Sequence, residues 1–292
     1  MDNLLSLQKL KVRKVIAFDT NIITDFSKRR MNHFANELEK ASKERFRFVL
    51  PDLCIAEALN YFDAKKPISP SAWENMARNL QKFVWKDFPI LPSRKDFYAI
   101  LGIKESPEYQ SRFTSDFAKK LFEFFCNYPR VKDQEAQRRK DLQDDLEQAR
   151  NHWRRLIDDI RSEFANKQQE NCRLAQKIVV QKLLNDYNIN LDTSFLGDIP
   201  LSECRALALE YVVSLATMPR NDGSFCYDQY ADNHKNDGLD YLIMDALMVD
   251  VSICSNDWFF KNAKSHHRKG SSLAEQQLSL CLTQDGLLKM IR

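Results

Sequence analysis

The sequence predicts an α/β fold, a central parallel sheet flanked by helices and interrupted by a large all-α segment. Three observations predict it. Residues 14–18 and 251–255 are short apolar runs without alternation, as in strands buried on both faces. Helix-length amphipathic segments alternate with these runs, the order expected of a parallel sheet with crossover helices. Within the chain, residues 133–187 contain no Pro or Gly and carry dense mixed charge, which predicts one very long helix or two joined by a tight bend.

The elements follow in order. Residues 14–18 form the first strand, ended by Asp19. Residues 22–43 predict a helix with Phe26, Phe34 and Leu38 among its apolar positions. Residues 46–50 form a second strand, closed by Pro51. Asp52 is placed to cap the next helix, since its side chain can accept from the first free N–H groups, and Leu53, Ile55, Leu59 and Phe62 turn inward on it. Lys65-Lys66-Pro67 and Ser69-Pro70-Ser71 break that helix, and Ser71 is read as the cap of another running to about Phe83. Residues 88–91 predict a short strand, limited by Pro89, which cannot donate to a ladder. Helices are expected over 108–126, rich in Phe, and over 202–216, after Pro200. Residues 219–223 are turn chemistry and a boundary. A helix over 238–249, a strand over 251–255 and a last strand over 278–282 complete the pattern. The chain thus divides into a discontinuous α/β domain, 11–101 with 220–292, and a helical insertion, 102–219.

Composition bounds the function. The 292 residues are 43% apolar, enough for one large core or two modest ones. The net charge is only +3, so any affinity for nucleic acid must come from local patches. Seven cysteines show neither a CxxC pair nor zinc spacing and read as reduced thiols packed in cores. The N-terminus lacks the pattern of a signal peptide, and no apolar run approaches the ~20 residues of a membrane helix. A cytoplasmic protein without a membrane partner is expected. GxSxG and GxxxxGK[ST] are both absent, which argues against an acyl-transfer serine and an ATP loop. His33, His152, His234, His266 and His267 are dispersed and read as surface residues rather than general bases.

Asp19, Glu57, Asp240 and Asp257 each stand at the edge of an apolar segment. Ligands of open α/β sheets bind beyond the carboxyl ends of the strands. Acids gathered there repel one another unless a cation lies between them. Carboxylate oxygens suit Mg²⁺ or Mn²⁺, and such a site supports phosphodiester hydrolysis. At roughly 100° per residue, Leu239, Leu242, Ile243, Ala246 and Leu247 form one helical stripe with Asp240 at its edge. Asp237 and Asp245 point further away and read as solvated, with Asp237 available as an outer ligand. Glu57 lies among Ile55, Ala56, Ala58 and Leu59, where a charge needs a partner or a metal. Any one of these acids taken alone reads more simply as paired or exposed. Their joint placement favours one shared site.

These segments carry a family resemblance. Phe18-Asp19-Thr20-Asn21-Ile22-Ile23 resembles the opening strand and first acid of PIN-domain nucleases. Leu50-Pro51-Asp52-Leu53-Cys54-Ile55-Ala56-Glu57 resembles their second strand, turn and second acid. Asp240-Tyr241-Leu242-Ile243 and Ser255-Asn256-Asp257-Trp258-Phe259 resemble the segments of the third and fourth acids. The resemblance spans 11–101 and 220–292 and leaves out the insertion. It implies a metal-dependent endonuclease, usually acting on RNA, with Asp19, Glu57, Asp240 and Asp257 holding Mg²⁺ or Mn²⁺. Asn21 and Ser255 would orient those ligands or a water, Ser255 standing where the family more often has Thr. It also implies a toxin or defence effector under the control of a protein partner.

Two basic groups are candidates for holding phosphate: Lys28, Arg29 and Arg30, and Lys261, Lys264, His266, His267, Arg268 and Lys269. Trp258 is a candidate for stacking on a base, whereas Phe259 reads as buried. The charged helices of 133–187 read either as an exposed hairpin or coiled coil, or as an arm for substrate choice or homo-oligomerisation. Two other functions stay open: a structure-specific DNA nuclease, with DNA less favoured than RNA, and a non-catalytic scaffold, against which the retained acids argue.

Overall fold

Five parallel strands form one sheet at the centre of the computed structural model. The structure describes residues 14–63, 68–92, 96, 113–165, 179, 201–222, 224–249, 251–266 and 279–292. The strands β1 (Lys14–Phe18), β2 (Phe46–Pro51), β3 (Ile90–Leu91), β4 (Ser252–Cys254) and β5 (Cys281–Leu282) lie in the order β3-β2-β1-β4-β5. Around them are α1 (Thr20–Asp25), α2 (Asn32–Glu44), α3 (Asp52–Phe62), α4 (Pro70–Phe83), α5 (Ser115–Val131), α6 (Ala136–Ala165), α7 (Leu201–Thr217), α8 (Asp237–Ile243), α9 (Trp258–His266) and α10 (Gln284–Ile291).

β1 is central because Val15, Ile16, Ala17 and Phe18 are all buried, so it needs cover on both faces and both edges. Ala17 pairs with Val49 on one side and Ile253 on the other. Strand order runs outward from β1 in both directions, which puts the topological switch between β1 and β4. Hydrogen bonds fix the residues just past the two strand tips. Asp19 N–H donates to Cys254 O at 3.1 Å, and Ser255 N–H donates to Leu282 O at 2.9 Å.

Several boundaries differ from the sequence expectation. The helix expected over 22–43 is broken: α1 stops at Asp25, Lys28 is extended (φ −86°, ψ 133°), and a 3₁₀ turn at Arg29–Met31 leads into α2. Tertiary contacts hold the break. Phe26 packs against Phe18, Phe34 and Phe83. Its carbonyl accepts from Asn75 Nδ2 (3.2 Å) and Asn79 Nδ2 (3.0 Å), which satisfy an acceptor that a continuous helix would have used. Asp52 is the first residue of α3 rather than its cap, and Oδ1 accepts from Leu53 N–H at 2.6 Å. Ser69, not Ser71, caps α4, with Pro70 preset at its first position. α5 begins at Ser115 behind the Thr114 cap and runs through Pro129, while 108–112 lie outside the described residues. The helix expected over 238–249 is α8 followed by a 3₁₀ turn, Met244–Val249. The strands expected over 88–91, 251–255 and 278–282 shorten to β3, β4 and β5, with 278 outside the described residues.

Within 133–187, α6 covers Ala136–Ala165, and 166–178 and 180–187 lie outside the described residues. α6 is not exposed on all sides. Leu146, Ala149, Trp153, Leu156, Ile157, Ile160 and Phe164 are buried along one stripe. Trp153 joins the same core as β1 and packs on Tyr241 (5.5 Å) and Phe259 (6.2 Å). Leu146 and Ala149 pack with Leu53, Ala56 and Leu239, which join α6 to α3 and α8. Gly238 permits that approach: a Cβ there would lie 2.4 Å from Trp153 Cβ. Among the described residues no helix is long and apolar enough to cross a membrane.

Candidate active site

The switch point opens into a cleft of about 840 Å³ that Asp19, Glu57, Asp240 and Asp257 all line. Each acid arrives from a different element. Asp19 follows β1, Glu57 lies in the second turn of α3, Asp240 lies on α8, and Asp257 lies between β4 and α9. The parallel sheet sends β1 and β4 in the same direction, so Asp19 and Asp257 emerge at one edge despite their distance in sequence.

Asp19 is held on both carboxylate oxygens. Oδ1 accepts from Thr20 N–H at 2.6 Å, and Oδ2 accepts from Asn21 Nδ2 at 2.5 Å and Ser255 Oγ at 2.6 Å. Ser255 Oγ also accepts from Asp257 N–H at 2.9 Å and from Asn21 Nδ2 at 3.2 Å. Asp257 Oδ1 accepts from Phe259 N–H at 2.8 Å, fixing the start of α9. Asn21 and Ser255 therefore tie the first acid to the fourth.

Burial and neighbouring charge unsettle Asp19, Glu57 and Asp240. Burial raises the Asp19 carboxyl to about 7; the Ser255 hydroxyl counters this, and Glu57 and Asp257 add to the rise. Burial also raises Asp240 well above the ordinary carboxylate range, with Asp19, Asp257 and Glu57 contributing. Glu57 rises through burial, tempered by Thr20 and Arg150. Asp240 is 8% exposed, and among the described residues its carboxylate has no hydrogen-bond partner. Nor does a Lys, Arg or His among them pair with Asp19, Glu57, Asp240 or Asp257.

Asp237 is a correction. It is buried rather than solvated, and it lines the same cleft. Its Oδ2 accepts from Tyr227 OH at 2.9 Å and lies 3.0 Å from His234 Nδ1, while Trp153 Nε1 donates to Tyr227 OH at 2.9 Å. Burial moves Asp237 up to about 6, and Tyr227 and His234 hold it back. His234 is thus half-buried in the cleft wall rather than on open surface. Asp245 has no described side chain.

The expected basic side chains that the structure describes lie outside the cleft. Lys28 pairs with Asp25, and Arg30 Nη2 lies 3.8 Å from Asp25 Oδ2. Lys28, Arg29, Arg30 and Lys261 are exposed, and none of them lines the cleft. Lys264 lies on α9 without a described side chain, and His267, Arg268 and Lys269 lie outside the described residues. Among the described residues, the Lys and Arg side chains that line the cleft are Arg150, from α6, and Lys235. Arg150 Nε and Nη2 donate to Asn236 Oδ1 (3.2 and 2.9 Å), and Nη1 donates to Glu147. Asn236 Nδ2 donates in turn to Glu57 Oε1. A signal for Arg150 exists in the sequence: it falls on the stripe of Leu146, Ala149 and Trp153, where a cation has no reason to be unless it serves a site.

Comparison of the chain with protein families, curated proteins and solved structures finds no match. Among the described residues no group of three or more His, Cys, Asp or Glu side chains is placed so that it could hold a metal ion. By chemistry, though not by their present placement, the four acids suit a hard divalent ion: their donors are all oxygen, Asp19 and Asp240 are buried, Glu57 and Asp257 are half-buried, and none pairs with a described cation.

Proposed function

We propose that the protein is a metal-dependent endonuclease that hydrolyses phosphodiester bonds in RNA, and that its α/β framework is a PIN-like nuclease domain. One observation carries this reading. The buried, unpartnered Asp240 carboxylate shares a cleft at the β1/β4 switch point with Asp19, Glu57 and Asp257. That arrangement is costly without a cation and suited to phosphate chemistry with one.

Asp19, Glu57, Asp240 and Asp257 would hold Mg²⁺ or Mn²⁺. A bound divalent ion supplies a water of lowered pKa and offsets charge on the phosphate oxygens. Asn21 and Ser255 keep Asp19 Oδ2 aimed into the cleft and space it from Asp257. Arg150, braced by Asn236 and Glu147, retains N–H groups for a phosphate oxygen. Lys235 adds an exposed positive charge on the same wall.

The test is incubation of the purified protein with labelled RNA and, separately, DNA, in Mn²⁺ or in EDTA, beside the Asp19→Asn and Asp240→Asn variants. RNA cleavage that needs Mn²⁺ and disappears in both variants is expected. Cleavage of DNA alone would replace the substrate. No Mn²⁺ binding by calorimetry would remove the nuclease reading altogether.

A further inference from the structure

Two aromatic side chains that line the acid-lined cleft are about half exposed. Among the described residues the exposed large apolar side chains are Tyr61 (56%), Phe117 (44%), Tyr230 (61%) and Trp258 (48%). Two of these are engaged. Phe117 packs on Phe113 at 5.3 Å, and Tyr230 donates to Asp158 Oδ2 at 2.8 Å with Arg154 over its ring. The other two, Tyr61 and Trp258, line the cleft. Tyr61 has no hydrogen-bond or ring partner among the described residues, and Trp258 meets the His234 ring edge at 5.6 Å.

Their positions follow from the acids. Tyr61 lies four residues after Glu57 on α3, so both project from one helix face. Trp258 follows Asp257 directly and is the first residue of α9, whose start Asp257 fixes through Phe259 N–H. Each ring is therefore tied to a carboxylate of the cleft. Exposed rings are unfavourable in water, and these stand beside acids and the cations Arg150 and Lys235. A ligand that meets all three features has flat apolar faces joined by an anionic chain. Bases in a duplex have their faces covered by neighbouring pairs, whereas those of a single strand are free to stack on aromatic side chains.

We propose that the cleft takes a single-stranded polynucleotide, with bases stacked on Tyr61 and Trp258, and rejects the same sequence as a duplex. This deepens the nuclease reading and rests on it for the kind of ligand. The stacking itself can be measured without cleavage.

The experiment uses the full chain carrying Asp19→Asn, so that substrate is bound and not cut. A mixed-sequence single-stranded RNA and its duplex are titrated in parallel. Of the four tryptophans, Trp73 and Trp153 are buried and the half-buried Trp85 does not line the cleft, so the emission change that Trp258→Ala removes reports contact with Trp258. Quenching by the single strand is expected, and Trp258→Ala should abolish it. Trp258→Ala and Tyr61→Ala should each weaken single-strand binding about 5- to 100-fold, the loss of one stacked base. Trp258→Phe, which keeps a stacking face, should restore most of the affinity. Mn²⁺ binding, followed by calorimetry on chains with Asp19 intact, should be the same in the aromatic variants and their parent. Duplex binding as tight as single-strand binding, or alanine variants with unchanged affinity, would overturn the proposal. If the alanine variants lose strand affinity but the protein binds no Mn²⁺, the nuclease reading fails and the stacking site stands. If Mn²⁺ binds and the alanine variants keep full strand affinity, the stacking site fails alone.

Discussion

Asp240 is 8% exposed, has no side-chain hydrogen bond among the described residues and stands beside three other acids, so its charge is costly unless it is protonated or meets a cation. Asp240→Asn removes that charge at nearly the same volume. In EDTA at pH 8 the variant should melt higher than the parent, by about 2–4 °C for each kcal/mol released. It should also lose the rise in Tm that Mn²⁺ gives the parent, and differential scanning fluorimetry with and without Mn²⁺ checks both. Ser255→Ala should act in the opposite sense on Asp19. It deletes a hydrogen bond that holds the charged carboxylate, so the Asp19 pKa should rise further and Mn²⁺ affinity by calorimetry should fall about 10- to 100-fold. These acids were legible in the sequence because each interrupts an apolar run, where a charge has no packing reason to be. Arg150 was not, because α6 offers many charged neighbours and only the buried stripe singles it out. Asp237 was misread because its partner Tyr227 lies on a loop whose path no helical periodicity predicts.

Among the elements, α6 departs most from its sequence expectation. Its dense charge allows an exposed hairpin or coiled coil as well as an arm for substrate choice or homo-oligomerisation, yet its buried stripe packs on α3 and α8 and it brings Arg150 to the cleft. The contact depends on Gly238, where a Cβ would lie 2.4 Å from Trp153 Cβ and 2.8 Å from Cγ. Those atoms sit at the base of a buried ring, so relief requires α6 and α8 to separate. Gly238→Ala would gain about 1 kcal/mol of helix propensity on an isolated helix. Here overpacking should outweigh that gain, with a net loss of about 1–2 kcal/mol in urea unfolding. Cleavage should fall more than stability, because α8 carries Asp240 and α6 carries Arg150. An increase in stability would show that the helices do not meet as described. The order of strands and helices was readable from periodicity and breakers. The gap between α1 and α2 was not, because Asn75 and Asn79 of the distant α4 hold it open.

At the scale of the molecule, the order β3-β2-β1-β4-β5 sets β1 beside β4, strands far apart in sequence, a neighbourhood that element order alone does not specify. Its consequence is a concentration of acids that the metal-free fold must tolerate. Asp19 moves from 3.8 to about 7 and Asp237 from 3.8 to about 6, and Glu57 and Asp240 also rise. A carboxyl whose folded pKa is raised keeps its proton in the folded chain after the unfolded chain has released it. Stability therefore falls as pH rises between the two pKa values, by about 1.4 kcal/mol per pH unit for each proton so held. That window runs from about pH 4 to about pH 7 for Asp19 and to about pH 6 for Asp237, and the raised Asp240 and Glu57 act in the same direction. The metal-free protein should thus be less stable at pH 8 than at pH 5.5 in urea unfolding. A divalent ion reverses the effect by replacing those protons, so Mn²⁺ should raise Tm more at pH 8 than at pH 5.5 and release protons on binding. Calorimetry in two buffers of different ionisation enthalpy counts the protons directly. A metal-free stability that is flat or rising from pH 5.5 to 8, with an equal Mn²⁺ effect at both, would mean that these carboxylates do not share one field. The cleft would then have no electrostatic reason to hold an ion.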